Sequence, residues 1–97
     1  MSEPKQARRF FISGTVQGVA FRYFALHAAV RLQVTGYARN LRDGRVEVYA
    51  IGNAEQLVAF QKVLKTGPYG ASVMNVLEEA AALEEQHARE FSIITNV

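Results

Sequence analysis

The nine residues GTVQGVAFR, at positions 14–22, decide how the rest of the chain is arranged. They follow an alternating apolar run that includes Phe10 and Ile12, and they lead into a helical pattern that begins at Phe21. Alternation is typical of a strand with one buried face, and apolar residues spaced three and four apart are typical of a helix with one buried side. The stretch therefore predicts a strand, a turn at Gly18 and the first turn of a helix.

A turn of this kind is suited to binding an anion. The first N–H groups of a helix have no acceptor inside the helix, and they carry the positive end of its dipole. Gly18 lets the chain curl, so the backbone N–H groups of residues 17–22 are expected to converge. Arg22 strengthens this prediction, because a cation in the first turn is destabilising by about 0.3 to 1 kcal/mol unless an anion joins it. The alternative is an ordinary turn glycine beside a solvated arginine.

The composition predicts one globular domain spanning residues 1–97, with residues 1–7 as a flexible N-terminal lead. Apolar residues make up 49% of the chain and charged residues 21%, an ordinary globular balance. The absence of cysteine excludes disulfides, thiolate metal sites and a cysteine nucleophile. No apolar run reaches the length of a membrane span, and residues 1–6 are too polar for a signal peptide. A soluble, cytoplasmic protein is expected.

The apolar periodicity predicts two helices and five strands. The first helix carries an apolar stripe over residues 21–32, made of Phe21, Phe24, Ala25, Ala28, Ala29 and Leu32. The strands are predicted at 8–16, at 36–41, from the Asp43-Gly44 turn to Gly52, at 71–77 and at 91–95. The second helix is capped by Asn53 and ends at Gly67-Pro68. Residues 78–87 are predicted to be a fraying strand and loop, with their glutamates in solvent.

The order strand, helix, strand, strand, helix, strand is that of a ferredoxin-like βαββαβ two-layer sandwich, an α+β fold. Two helices are expected on one face of an antiparallel sheet, with the first strand central and the loop after it beside the second strand. Many unrelated functions share this fold, so the function has to come from the site residues.

These residues resemble the acylphosphatase family. The stretch 14–22 resembles its first signature throughout, and the stretch GYARN at 36–40 resembles its second. The resemblance continues through Gly44, Val46, Gly52, Gly67-Pro68, Ala71, Val73, Phe91 and Ile93. It implies hydrolysis of an acyl phosphate, a carboxylic-phosphoric anhydride, to a carboxylate and inorganic phosphate.

The resemblance also implies which residues perform the reaction. Arg22 and Asn40 match the catalytic residues of that family. In the family the arginine clamps the phosphate and the asparagine positions water. The implied phosphate-binding loop consists of Gln17, Gly18, Val19, Ala20, Phe21 and Arg22. An arginine offers a planar fork for two phosphate oxygens, and an asparagine amide orients water without titrating near neutral pH. The alternative for Asn40 is a strand-end residue that bonds its own turn.

No metal and no cofactor are expected. Asp43 is the only aspartate and lies in a turn, which disfavours a two-metal carboxylate site. His27 and His87 are not spaced as a metal-binding pair, and His27 lies off the apolar stripe, where a surface position is expected. The sequence contains no GxxxxGK[ST] nucleotide loop. The expected partner is a small-molecule acyl phosphate, with no nucleic acid and no membrane, and a monomer is expected because no apolar surface stripe is evident.

Three other functions fit parts of the sequence. An RNA-recognition module shares the strand order, and Arg39, Arg42 and Arg45 cluster at the hairpin, but residues 45–49 do not match its aromatic motif. An acylphosphatase-like domain of a larger carbamoyl-transferring protein would keep the site, although a chain of 97 residues without a linker favours a free-standing enzyme. A sensor would bind the anion without turnover.

Overall fold

Two helices cover one face of a five-stranded sheet in the computed structural model, which describes residues 3–95. The elements in chain order are β1 Gln6–Thr15, α1 Phe21–Leu32, β2 Thr35–Asn40, β3 Val46–Gly52, α2 Ala54–Thr66, β4 Ser72–Ala81, a 3-10 turn Glu85–His87 and β5 Phe91–Ile94. The predicted ferredoxin-like sandwich is confirmed.

The strand order across the sheet is β4-β1-β3-β2-β5. β1 lies antiparallel between β3 and β4, so the prediction that the first strand is central is confirmed. β5 departs from the expected antiparallel sheet, since it pairs in parallel with β2. The reason is the connection: β4 ends at one edge of the sheet, and the chain crosses the uncovered face before β5 enters at the other edge. β1 and β2 therefore run in the same direction and end at the same side of the sheet.

The main core lies between the sheet and the helices. Phe10 and Ile12 of β1 are fully buried there, as their alternation predicts. The ring of Phe10 meets the ring of Phe60 edge to face at 6.3 Å, and Phe60 meets Phe91 in the same way at 5.9 Å. Edge-to-face packing is a preferred arrangement of aromatic rings. From α1, the residues buried against this core are Phe21, Ala25, Ala28 and Ala29.

β1 begins earlier than predicted, inside the expected N-terminal lead. Gln6 pairs with Gly52 of β3, and Ala7 pairs with Ala81 of β4 and is buried. The prediction of a flexible lead over residues 1–7 is therefore wrong at positions 6 and 7, because neighbours on both sides supply ladder hydrogen bonds that local sequence does not reveal. Residues 1 and 2 of that lead lie outside the described residues.

The other face of the sheet contains a buried ionic cluster. Glu47 of β3 has only 4% of its surface exposed. Its carboxylate pairs with the Nε atoms of Arg9 at 2.9 Å and Arg39 at 2.5 Å, and it accepts a hydrogen bond of 3.1 Å from the hydroxyl of Tyr37. A buried carboxylate needs such partners, because moving its charge out of water otherwise costs free energy. We call these four residues the Glu47 cluster.

The segment that follows β4 covers part of this face. The hydroxyl of Tyr49 donates a 2.6 Å hydrogen bond to the carbonyl of Ala82 and accepts one of 2.8 Å from the N–H of Glu84. The ring of His87 lies 4.8 Å from that of Tyr37. Residues 78–87 thus comprise the end of a strand and a loop, as predicted, together with a 3-10 turn that was not foreseen.

The Glu47 cluster predicts a loss of stability at alkaline pH. Burial, and next the negative charge of Glu47, raise the pKa of Tyr37 above its ordinary value. Neutral Tyr37 therefore stabilises the fold fully below pH about 10, and this contribution is lost as pH rises from there through the raised pKa. We expect the free energy of unfolding by urea to fall above pH about 10, and to fall less steeply in Tyr37→Phe. An equal fall in both proteins would contradict this assignment.

Candidate active site

The loop between β1 and α1 adopts the curled shape that the sequence predicts. Residues 17–20 form a turn, and Gly18 has a φ of +78°. A Cβ atom at Gly18 would meet nothing within 4 Å, so the requirement for glycine is conformational rather than spatial. Ala20 also has a positive φ, +60°, which is uncommon for a residue with a side chain. Such backbone strain is concentrated at functional sites.

The start of α1 lacks the groups that normally complete a helix N-terminus. Ala20 occupies the N-cap, no side chain of the described residues caps the helix, and its first turn contains no acidic residue. The first helical hydrogen bond runs from the N–H of Phe24 to the carbonyl of Ala20 at 3.0 Å. By contrast, Asn53 and Gln56 cap α2 with a reciprocal pair of hydrogen bonds, each 2.8 Å long. Within residues 3–95, the N–H groups of the first turn of α1 thus have no acceptor.

Arg22 lies in this first turn and is half-buried. Its Nη1 atom donates a 3.4 Å hydrogen bond to the backbone carbonyl of Ile94, at the end of β5. Ile94 pairs with Arg39 of β2, the residue before Asn40. The contact with β5 therefore places the guanidinium near the end of β2, and nothing in the sequence pattern indicates this contact.

Asn40 is the last residue of β2, opposite Val46 of β3. Its Oδ1 atom is buried and accepts no hydrogen bond from the described residues. An unsatisfied buried acceptor costs about 1 to 3 kcal/mol and calls for an explanation. The oxygen is not bonded to its own turn, as the alternative to a catalytic role would require.

Gln17 connects the loop to the β2–β3 hairpin through its side chain. The Nε2 atom donates to the backbone carbonyl of Leu41 at 2.8 Å and to that of Arg45 at 2.9 Å. The prediction that the loop after β1 lies near β2 is thereby confirmed. Gln17 was predicted to contribute only its backbone N–H group; its side-chain contacts were not predicted, because no local pattern reveals a partner 24 residues away.

The histidines lie outside this arrangement. His27 is exposed, as predicted, and His87 packs on the far face of the sheet. Among residues 3–95, no group of three histidine, aspartate or glutamate side chains is placed to hold a metal ion. Over the same residues, no helix is both long and apolar enough to cross a membrane.

Four features thus lie at one side of a ferredoxin-like sheet: a loop with two positive φ angles, the start of α1, an arginine and an asparagine. The sequence profile of the acylphosphatase family matches residues 8–93. The chain is 50% identical to an acylphosphatase of Solibacter usitatus over 80 residues, covering 82% of this chain and 83% of that protein. It is 47% identical to one of Halorhodospira halophila over 93 residues, covering 96% and 99% of the two chains.

The solved structures agree with the sequence comparisons. An acylphosphatase from Coxiella burnetii superimposes with a TM-score of 0.87 at 33% identity, over 93% of each chain. The chain therefore belongs to the acylphosphatase family.

Proposed function

We propose that the chain hydrolyses acyl phosphates with phosphate bound at the 17–22 loop, Arg22 clamping the phosphoryl oxygens and Asn40 orienting the attacking water. The observation that carries the proposal is the start of α1, where N–H groups that find no acceptor among residues 3–95 lie beside a cation. A phosphoryl group supplies the negative charge and the acceptor atoms that this turn lacks. The family and the fold support acyl phosphate hydrolysis.

The reaction needs few protein groups. Water attacks phosphorus as the bond from phosphorus to the acyl oxygen breaks, and the carboxylate leaves with the electron pair of that bond. A carboxylate is a good leaving group, so positioning and electrostatic stabilisation suffice. The proton released by the water passes to a phosphate oxygen, because the asparagine amide does not accept it at neutral pH.

Asn40 fits the role of orienting water through its carboxamide. The Oδ1 atom is buried and has no donor among the described residues, and a half-turn about the Cβ–Cγ bond exchanges it with Nδ2. This torsion has broad, roughly two-fold preferences. A water beside the amide then donates to Oδ1.

The aromatic residues on the uncovered face argue against the RNA-binding alternative. Tyr37 of β2 and Tyr49 of β3 lie on that face, and they are 6% and 0% exposed. Bases stack on accessible rings, and these two buried tyrosines cannot serve for stacking. That the protein acts as a cytoplasmic monomer, without metal or cofactor, stays a prediction from the sequence.

The proposal is tested by hydrolysis of acetyl phosphate in EDTA. We expect turnover without added metal, no cleavage of the ester p-nitrophenyl phosphate, and a loss of about 100-fold in kcat for Asn40→Ala, the order expected when a reactant is misplaced. Asn75→Ala is the matched control, since Asn75 is exposed on β4. No turnover by the wild type, or wild-type turnover by Asn40→Ala, would overturn the proposal. Phosphate binding without turnover would instead identify an anion sensor.

A further inference from the structure

The loop that contains Gln17 is fixed by packing at its two ends and partly at Val19, but not at Gly18 and Ala20. Val16 and Phe21 are 1% exposed at either end, and Val19 packs partly against the core. Gly18 and Ala20 are exposed, and the space around Gly18 is open. Directed contacts therefore help to set the position of the turn relative to the rest of the site.

The side chain of Gln17 provides such contacts on the strand side of the site. Its two acceptors, the carbonyls of Leu41 and Arg45, are the first and last carbonyls of the β2–β3 turn. The N–H of Leu41 closes that turn on the carbonyl of Arg45 at 2.8 Å. Leu41 also follows Asn40 directly in the chain. One carboxamide nitrogen thus joins the anion loop to the backbone that carries the candidate water-orienting residue.

We propose that Gln17 is a positioning residue that sets the separation between the phosphate-binding loop and Asn40. This inference rests on the proposed function, since it assumes that phosphate lies at the loop and water at Asn40. The separation decides whether water lies in line with the bond that breaks, and misplacing a reactant by about 1 Å lowers turnover by up to about 100-fold.

Position 17 requires a side chain of the length of glutamine that carries two N–H donors on one atom. Glutamate would place carboxylate oxygens against two carbonyl oxygens, and methionine has a similar length but no donor. Asparagine keeps the donor but is one methylene shorter.

Phosphate affinity separates a positioning role from a structural one. The loop N–H groups and Arg22 belong to one continuous segment, and that segment keeps its packed ends without Gln17. If Gln17 only positions the segment against Asn40, its loss lowers kcat and leaves inhibition by inorganic phosphate unchanged. If it maintains the shape of the loop, its loss weakens phosphate inhibition in parallel with kcat.

The experiment measures kcat for acetyl phosphate and the inhibition constant of inorganic phosphate in wild type, Gln17→Met and Gln17→Asn. Gln56→Met is the matched control, because the Nε2 atom of Gln56 also donates to a backbone carbonyl, that of Leu32, at 3.1 Å. Thermal unfolding establishes that each variant is folded. We expect kcat to fall about 10- to 100-fold in both Gln17 variants, with phosphate inhibition unchanged and with wild-type kcat in the control.

The outcomes distinguish this inference from the proposed function. Wild-type kcat in the Gln17 variants, or phosphate inhibition that weakens as kcat falls, would overturn the positioning role alone. A kcat in Gln56→Met that falls as far as in Gln17→Met would also overturn it, since the effect would then follow general stability. A wild-type chain without turnover would overturn the proposed function and this inference together.

Discussion

Arg22→Ala is expected to lower kcat for acetyl phosphate by about 100- to 1000-fold, the loss measured when one preorganised donor is removed from an oxyanion site. The guanidinium is held in the first turn of α1 by helix geometry and by the carbonyl of Ile94, so it is in place before the substrate binds. Arg22→Lys keeps the charge but loses the planar fork that matches two phosphate oxygens. A large loss of kcat is therefore expected in Arg22→Lys as well. Steady-state kinetics in EDTA measure both variants.

Arg22→Ala should leave the fold intact, because Arg22 is a cation at the positive end of a helix dipole. Removing it relieves an unfavourable interaction of about 0.3 to 1 kcal/mol, which offsets the lost contact with β5. Arg31→Ala is the matched control, since Arg31 is an exposed arginine in the last turn of the same helix. Wild-type turnover in either Arg22 variant, or an equal loss in Arg31→Ala, would contradict the role of Arg22.

Local periodicity was sufficient to predict the elements that face the main core. Alternation in β1 placed Phe10 and Ile12 inside, and the stripe in α1 placed Ala25 and Ala28 against them. These predictions succeed because one buried face imposes a period of two on a strand and about 3.6 on a helix. The turn at residues 17–20 was predictable for a similar reason, since a glycine in a turn between a strand and a helix requires only nearby residues.

Local periodicity could not predict which residues cover the second face of the sheet. Glu47 and Tyr49 alternate outward on β3, away from the helices, yet they are as buried as the core. Their partners come from β1, β2 and the segment after β4, which are distant along the chain. The side-chain contacts of Gln17 and Arg22 escaped prediction for the same reason, because their acceptors are 24 to 72 residues away.

Glu47→Ala is expected to lower the free energy of unfolding by about 3 kcal/mol, the lower end of the range for breaking a buried ion pair. The substitution leaves the guanidinium groups of Arg9 and Arg39 on one face without their shared carboxylate, and it leaves the hydroxyl of Tyr37 without its acceptor. The arginine side chains are 26% and 34% exposed, so water partly replaces the lost carboxylate. Urea unfolding at neutral pH measures the change.

A comparison with an exposed ion pair tests whether the burial of Glu47 causes this loss of stability. Glu78 pairs with Arg8 at 3.3 Å, with 36% and 29% of the two side chains exposed, and Glu78→Ala should cost no more than about 1 kcal/mol. Glu47→Gln keeps the shape and part of the hydrogen bonding, so its loss should lie between those of the two alanine variants. If Glu47→Ala and Glu78→Ala unfold at the same urea concentration, the Glu47 cluster contributes no more than a surface ion pair, and burial of its carboxylate does not govern the stability of this face.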